Sequence, residues 1–175
     1  MLKRIIVAAF VFVCIFSVVS VANALTFDFV GAAAVSQGSW YFEAEGVSVV
    51  ATALANSVAR NVHRDSFGLG VTFTGDRALD GPSQQIDGRG YLEFLTLTFS
   101  EPVTLREMVL SYWEENDEMT LLVDGEAGRS SGRVFDFSAP EQDDDYKLQS
   151  IEVERVALGS VAETAGVPEV GTAWL

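Results

Sequence analysis

The amino-acid sequence predicts an all-β fold, an antiparallel β-sandwich of jelly-roll type over about residues 25–160. Three observations carry that expectation. Apolar runs of about five to nine residues recur along the chain, with Gly, Asp, Asn, Ser and Pro between them. Many of these runs are rich in Val, Phe, Thr and Tyr, which suit a pleated, half-buried surface. In the clearest run, residues 91–100, Leu95, Leu97 and Phe99 fall on one face while Thr96, Thr98 and Ser100 fall on the other. That two-residue period marks a strand with one buried side.

Taken in order, residues 25–30 (LTFDFV) alternate and open the domain. Residues 40–42 and 47–53 follow, with Gly46 turning between them. Residues 51–62 (ATALANSVARNV) are ambiguous, because their alanines also permit a helix. Residues 67–74 form the next expected strand. Its Gly68-Leu69-Gly70 fits a backbone-crowded strand or bulge better than a phosphate loop, since no third glycine and lysine follow at loop spacing. Residues 75–90 are a loop of turn formers. Beyond the 91–100 strand, Glu101-Pro102 marks a turn. Residues 105–113 and 119–123 flank an acidic bend, and Asp124-Gly125 closes this hairpin-like unit, because Asp-Gly tolerates positive φ. Residues 133–138 alternate. Residues 146–158 supply the last one or two strands. There Leu148, Ile151, Val153 and Val156 fall out of strict alternation, so a bulge is expected. Residues 159–166 are small and aperiodic, as in a linker.

The amino terminus carries a separate signal. Lys3 and Arg4 precede an apolar run over residues 5–21, and Ala22-Asn23-Ala24 follows it. Positive start, apolar stretch and small-x-small site describe a secretory signal peptide, residues 1–24, cut after Ala24. The run also approaches the roughly 20 residues of a membrane anchor, but the Ala22/Ala24 site favours cleavage and no stable transmembrane segment in the mature chain. Cleavage removes Cys14, the single cysteine, and with it any disulfide. Lys3 and Arg4 leave too, so 9 basic residues face 25 acidic ones, a balance of −16 against −14 for the whole chain. Such a surface repels nucleic-acid phosphates and anionic head groups, and it favours cations and neutral polymers. Nucleic acid is excluded as a partner.

Candidate chemistry is sparse. His63 is the single histidine, and its neighbours Asn61, Arg64 and Asp65 read as those of a surface or loop residue rather than a hydrolase base. A zinc site needs more His or Cys ligands than the chain offers. Acidic residues cluster at Glu114, Glu115, Asp117 and Glu118 and at Asp143, Asp144 and Asp145, with Asp76, Asp80 and Asp87 along the long loop. A solvated acidic surface explains them most simply. A structural Ca²⁺ held by loop oxygens among Asp80, Asp87, Glu93 and Asp117 is the sharper alternative, although none of the clusters has the spaced calcium-loop pattern. Paired carboxylates also suit a glycosidase, but sequence does not show which pair shares a cleft. Trp40, Tyr41, Tyr91, Tyr112 and Trp113 are either core packing or a sugar-stacking platform.

Two stretches resemble a known family. Val167-Pro168-Glu169-Val170-Gly171-Thr172 is similar to the V-P-E-P-G/S-T opening of the PEP-CTERM sorting signal, with Val170 in place of the second proline. The transmembrane stretch and Arg-rich end of that signal do not follow, so the motif is degenerate or truncated. Gly68-Leu69-Gly70-Val71, Ile86-Asp87-Gly88, Glu93 through Phe99, Val103-Thr104-Leu105 and Asn116-Asp117 stand in the order seen in the β-rich body of many PEP-CTERM proteins. The resemblance implies an exported β-sandwich of undefined activity, handled by exosortase and the secretion machinery, and it supplies no catalytic residues. The expected function is therefore an exported, non-enzymatic extracellular, envelope or biofilm-matrix protein, located outside the inner membrane. The alternative is a carbohydrate-binding module that takes a polysaccharide, with a structural calcium ion.

Overall fold

The structure is a computed structural model, and it describes residues 24–72, 84–88 and 92–156. Residues 1–23, 73–83, 89–91 and 157–175 lie outside the described residues. Among those described, the chain forms twelve strands and no helix. These are β1 (Ala24–Asp28), β2 (Val35–Gln37), β3 (Trp40–Ala44), β4 (Val47–Ala55), β5 (Val58–Asp65), β6 (Gly68–Thr72), β7 (Ile86–Asp87), β8 (Glu93–Ser111), β9 (Thr120–Val123), β10 (Glu126–Ala127), β11 (Ser131–Ser138) and β12 (Asp145–Arg155).

The strands pair antiparallel, and five of them close a ring: β12 with β6, β6 with β5, β5 with β4, β4 with β8, and β8 back to β12. The all-β class is the expected one. The arrangement differs, for the sheet wraps on itself as a five-stranded barrel where a jelly-roll sandwich was anticipated. The length of β8 makes the closure possible. Its first part pairs with β4 from Glu93 to Phe99, and its second part pairs with β12 from Val103 to Ser111. One strand therefore serves both flanks of the ring. The remaining strands extend from it: β11, β9 and β10 beside β8, β1 and β7 on β12, β2 on β5, and β3 on β4.

Alternation fills the interior. Val47, Val49, Ala51, Ala53 and Ala55 of β4 are buried, as are Leu95, Leu97 and Phe99 of β8 and Leu148, Ile151 and Val153 of β12. Phe99 sits edge-on to Phe27 and Phe135, at centroid distances of 5.6 and 5.5 Å. Full burial of each such side chain contributes roughly 1.5–3 kcal/mol.

Local departures from expectation have local causes. The ambiguous 51–62 stretch is strand, turn and strand. Asn56 and Ser57 take φ of 50° and 62°, the left-handed pair of a tight hairpin, and the period-two burial of Ala51, Ala53 and Ala55 against β8 outweighs alanine's small helix preference. The turn expected at Glu101-Pro102 is absent, because β8 runs straight through. Neither residue has a ladder partner there, so the missing N–H of Pro102 costs nothing, while its carbonyl accepts Val156 N at 3.3 Å. Asp124-Gly125 does turn a hairpin, but the hairpin joins β9 to β10, and β9 pairs next with β11 rather than with β8. The expected irregularity in β12 is present as register shifts at Leu148/Ser150 and Glu152/Val153. Crowding also explains the Gly68–Gly70 pair. A Cβ on Gly68, which has φ of 116°, would strike the carbonyl of Leu148, and one on Gly70 would strike that of Gln84.

Candidate functional site

The weakest backbone joint of the barrel is the densest in polar side chains. β6 and β12 share one register pair, Leu148 with Leu69. Beside it Lys147 is fully buried, and its Nζ lies 2.5 Å from Asp65 Oδ2 at the end of β5. The other carboxylate oxygen of Asp65 accepts the Phe67 amide at 2.8 Å. His63 Nε2 stands 3.4 Å from Asp65 Oδ2, and its Nδ1 meets Ser36 Oγ at 2.8 Å. Ser36 Oγ continues to Thr72 Oγ1 at 3.1 Å. The chain of contacts thus ties β2, β5, β6 and β12 together.

His63 is accordingly not the loop residue expected. It lies inside β5 and is 6% exposed, with Ser36 of the neighbouring β2 at its Nδ1 and Asp65 beside its Nε2. Burial, and secondarily the Lys147 ammonium, hold its pKa below the ordinary value. Burial pushes the Asp65 carboxyl up, but its bonds to Lys147 and to the Phe67 amide outweigh that and leave it below the usual carboxylate range. Lys147 is lowered by burial, with Asp65 partly offsetting. The order Ser36, His63, Asp65 matches a nucleophile, base and carboxylate in sequence only. Here the serine meets Nδ1, and the carboxylate is already neutralised by an ammonium at 2.5 Å. Asp65 still favours the imidazolium, but burial and the Lys147 ammonium together outweigh it. The arrangement holds strands.

The acidic residues divide in a similar way. Asp87 and Glu93 are both buried and adjacent, with the Asp87 amide donating to Glu93 Oε2 at 3.3 Å. Asp117 turns its carboxylate onto the Glu114 amide. Asp144, which the sequence grouped with Asp143 and Asp145, is buried and accepts the amides of Glu118 and Glu141 at 2.8 and 2.7 Å. Asp145 accepts Gln85 Nε2 at 2.6 Å. Asp80 and Asp76 lie outside the described residues. Among the described residues, no three His, Cys, Asp or Glu side chains converge on a point a metal could occupy. Glu107 and Glu152 face each other across the β8–β12 ladder and line an open hollow with Thr26 and Ser150.

The aromatic set separates into packing and surface. Trp40 is packed, its Nε1 donating to the Val62 carbonyl at 3.2 Å and its ring 5.1 Å from the Arg64 guanidinium. Tyr41 is 61% exposed and bonds Glu43. Tyr91 lies outside the described residues. Tyr112 and Trp113 are 40% and 44% exposed, and Phe67, which the sequence analysis passed over, is 46% exposed with its ring 4.9 Å from that of Tyr112. An aromatic at a turn, between Ser66 and Gly68, was the available signal. Lys147 was missed as well, although a lone lysine between Tyr146 and Leu148 in an apolar strand was visible.

Ala24 occupies the first register position of β1, opposite Glu154, while Ala22 and the residues Val167, Pro168, Glu169, Gly171 and Thr172 lie outside the described residues. No helix among the described residues is long and apolar enough to cross a membrane. Comparison with protein-family models, with curated proteins and with solved structures found no match.

Proposed function

We propose that this chain is an exported, non-enzymatic protein of the cell envelope or extracellular polysaccharide matrix, delivered by its leader and sorted as the PEP-CTERM resemblance of its tail implies. One observation supports a structural role over turnover. The buried carboxylates of Asp117 and Asp144 are spent on backbone amides, and the part-buried one of Asp65 on an amide and a lysine, so their chemistry goes into holding the fold. Expression of the full chain in a Gram-negative host tests the export. The expected outcome is a protein outside the inner membrane whose amino-terminal sequence begins at Leu25. Retention in the cytosol with the leader intact contradicts it.

The exposed rings of Phe67, Tyr112 and Trp113 favour a second reading, a carbohydrate-binding module, since exposed aromatics on a rigid β-scaffold are the usual means of holding a sugar face. A structural calcium ion in that module would draw on Asp87 and Glu93, with Asp80. Asp117 would have to give up the Glu114 amide to join them. Calorimetry with millimolar Ca²⁺ tests this ion. Heat on mixing and a raised melting temperature are expected, and the absence of both rejects it.

A further inference from the structure

We propose that Phe67 and Tyr112 form a stacking platform for the apolar face of a neutral pyranose chain. The proposal deepens the carbohydrate-binding reading and rests on it. The two rings touch, with centroids 4.9 Å apart and planes tilted by 50°, yet 46% of Phe67 and 40% of Tyr112 are exposed. Both belong to chain segments that the barrel fixes. The carbonyl of Phe67 accepts Ser111 Oγ at 2.6 Å, and its amide donates to Asp65 at 2.8 Å. Tyr112 follows Ser111 directly and takes φ of 64°, a left-handed conformation that a bulky residue adopts only where its surroundings impose it. The buried Lys147 ammonium lies 5.7 Å from the Tyr112 ring centroid, close enough for a cation–π contact. The pair is thus pre-organised and wet.

Charge selects the occupant. Glu114 and Glu115 follow within three residues of Tyr112 and are exposed, and the whole chain carries −14. That negative charge repels uronic acids, phosphates and nucleic acid, while carboxylates accept hydrogen bonds from sugar hydroxyls. A second copy of this chain would bring the same negative charge against it, so self-association is disfavoured there. A neutral hexose polymer meets both demands, with C–H groups for the rings and hydroxyls for the acids. Trp113 packs elsewhere, 5.9 Å from the buried Tyr146 ring, and falls outside the platform.

Affinity electrophoresis of the purified protein through gels containing hydroxyethylcellulose, dextran or galactomannan, with alginate as the anionic comparison, tests this. At least one neutral polymer is expected to retard the protein, and alginate is not. Phe67→Ala and Tyr112→Asn, the latter chosen because asparagine tolerates the left-handed backbone, should each weaken retardation roughly tenfold. Tyr112→Phe and Trp113→Ala should retain it, and far-ultraviolet circular dichroism checks that each variant folds. A wild-type protein that none of the neutral polymers retards defeats the carbohydrate-binding reading itself. Retardation that survives both Phe67→Ala and Tyr112→Asn, or that Trp113→Ala abolishes, overturns the platform alone. So does a concentration-dependent dimer that Phe67→Ala dissolves, since the rings would then serve a second copy.

Discussion

The β4–β8 seam carries seven register pairs, from Val49 with Phe99 to Ala55 with Glu93, whereas the β6–β12 seam carries one. The first is built from alternating apolar residues and a continuous ladder. The second is built from an ion pair of the buried Lys147 with the part-buried Asp65, two glycines pressed against neighbouring backbone, and the Ser111 to Phe67 bond. Two physical solutions thus close one barrel. Apolar burial is non-directional and tolerates small shifts, but a buried ammonium demands its carboxylate at one place. The polar seam therefore fixes position more than it adds stability, and Phe67 and Tyr112, the candidate binding surface, stand on that fixed side.

The difference is open to measurement, and the largest effect belongs to the apolar seam. Phe99→Ala, which empties a site 1% exposed between Phe27 and Phe135, should cost about 4 kcal/mol in urea unfolding. Asp65→Ala comes next, at about 3 kcal/mol, because it strands a buried ammonium. Adding Lys147→Met to it should recover most of that loss, and a double variant no more stable than the single would mean that the pair is not what Asp65 contributes. Asp124→Ala lies on neither seam. It removes the carboxylate oxygen that accepts the amides of Arg133 and Val134, and about 1 kcal/mol is expected, with the polysaccharide retardation unchanged.

The smallest effect is a pH dependence. His63 is held below its ordinary 6.5 by burial first and by Lys147 second, so as pH falls the unfolded chain takes up its proton before the folded one does. Stability should be full above about pH 6.5 and decline as pH drops through that value toward the folded-state pKa, at no more than about 1.4 kcal/mol per unit for one proton. Melting temperatures at stepped pH read it. His63→Gln should flatten the curve in that window, and an unchanged slope would mean another group titrates there. Asp65, also depressed, should remove further stability as pH falls below its usual 3.8.

The apolar seam was legible in the sequence because its code is local. The alternation of Leu95, Leu97 and Phe99 is visible in five residues, and Asp124-Gly125 marks the β9–β10 turn. The closure of the ring was not legible. It depends on Lys147 meeting Asp65, 82 residues earlier, and on β8 changing partners at Pro102, which in isolation reads as a turn. His63 was expected at the surface or in a loop because its polar neighbours suggested it, while its hydrogen-bond partner Ser36 on β2 lies 27 residues upstream. The candidate site was legible in part. Tyr112 and Trp113 stood out as aromatics, but nothing adjacent in sequence pairs Tyr112 with Phe67, and the separation of Trp40 into the packed interior needs the whole barrel.

The closing of the ring at β6 and β12 is the claim on which the positions of Lys147, Phe67 and Tyr112 depend. Backbone NOE measurement on the isotopically labelled protein tests it most directly, through the cross-strand contact of Leu69 with Leu148. A strong contact there, beside the Leu148–Leu110 contact of the β8–β12 ladder, is the predicted result. No contact between Leu69 and Leu148, with the Leu148–Leu110 contact of the β8–β12 ladder retained, would leave an open sheet and contradict the account.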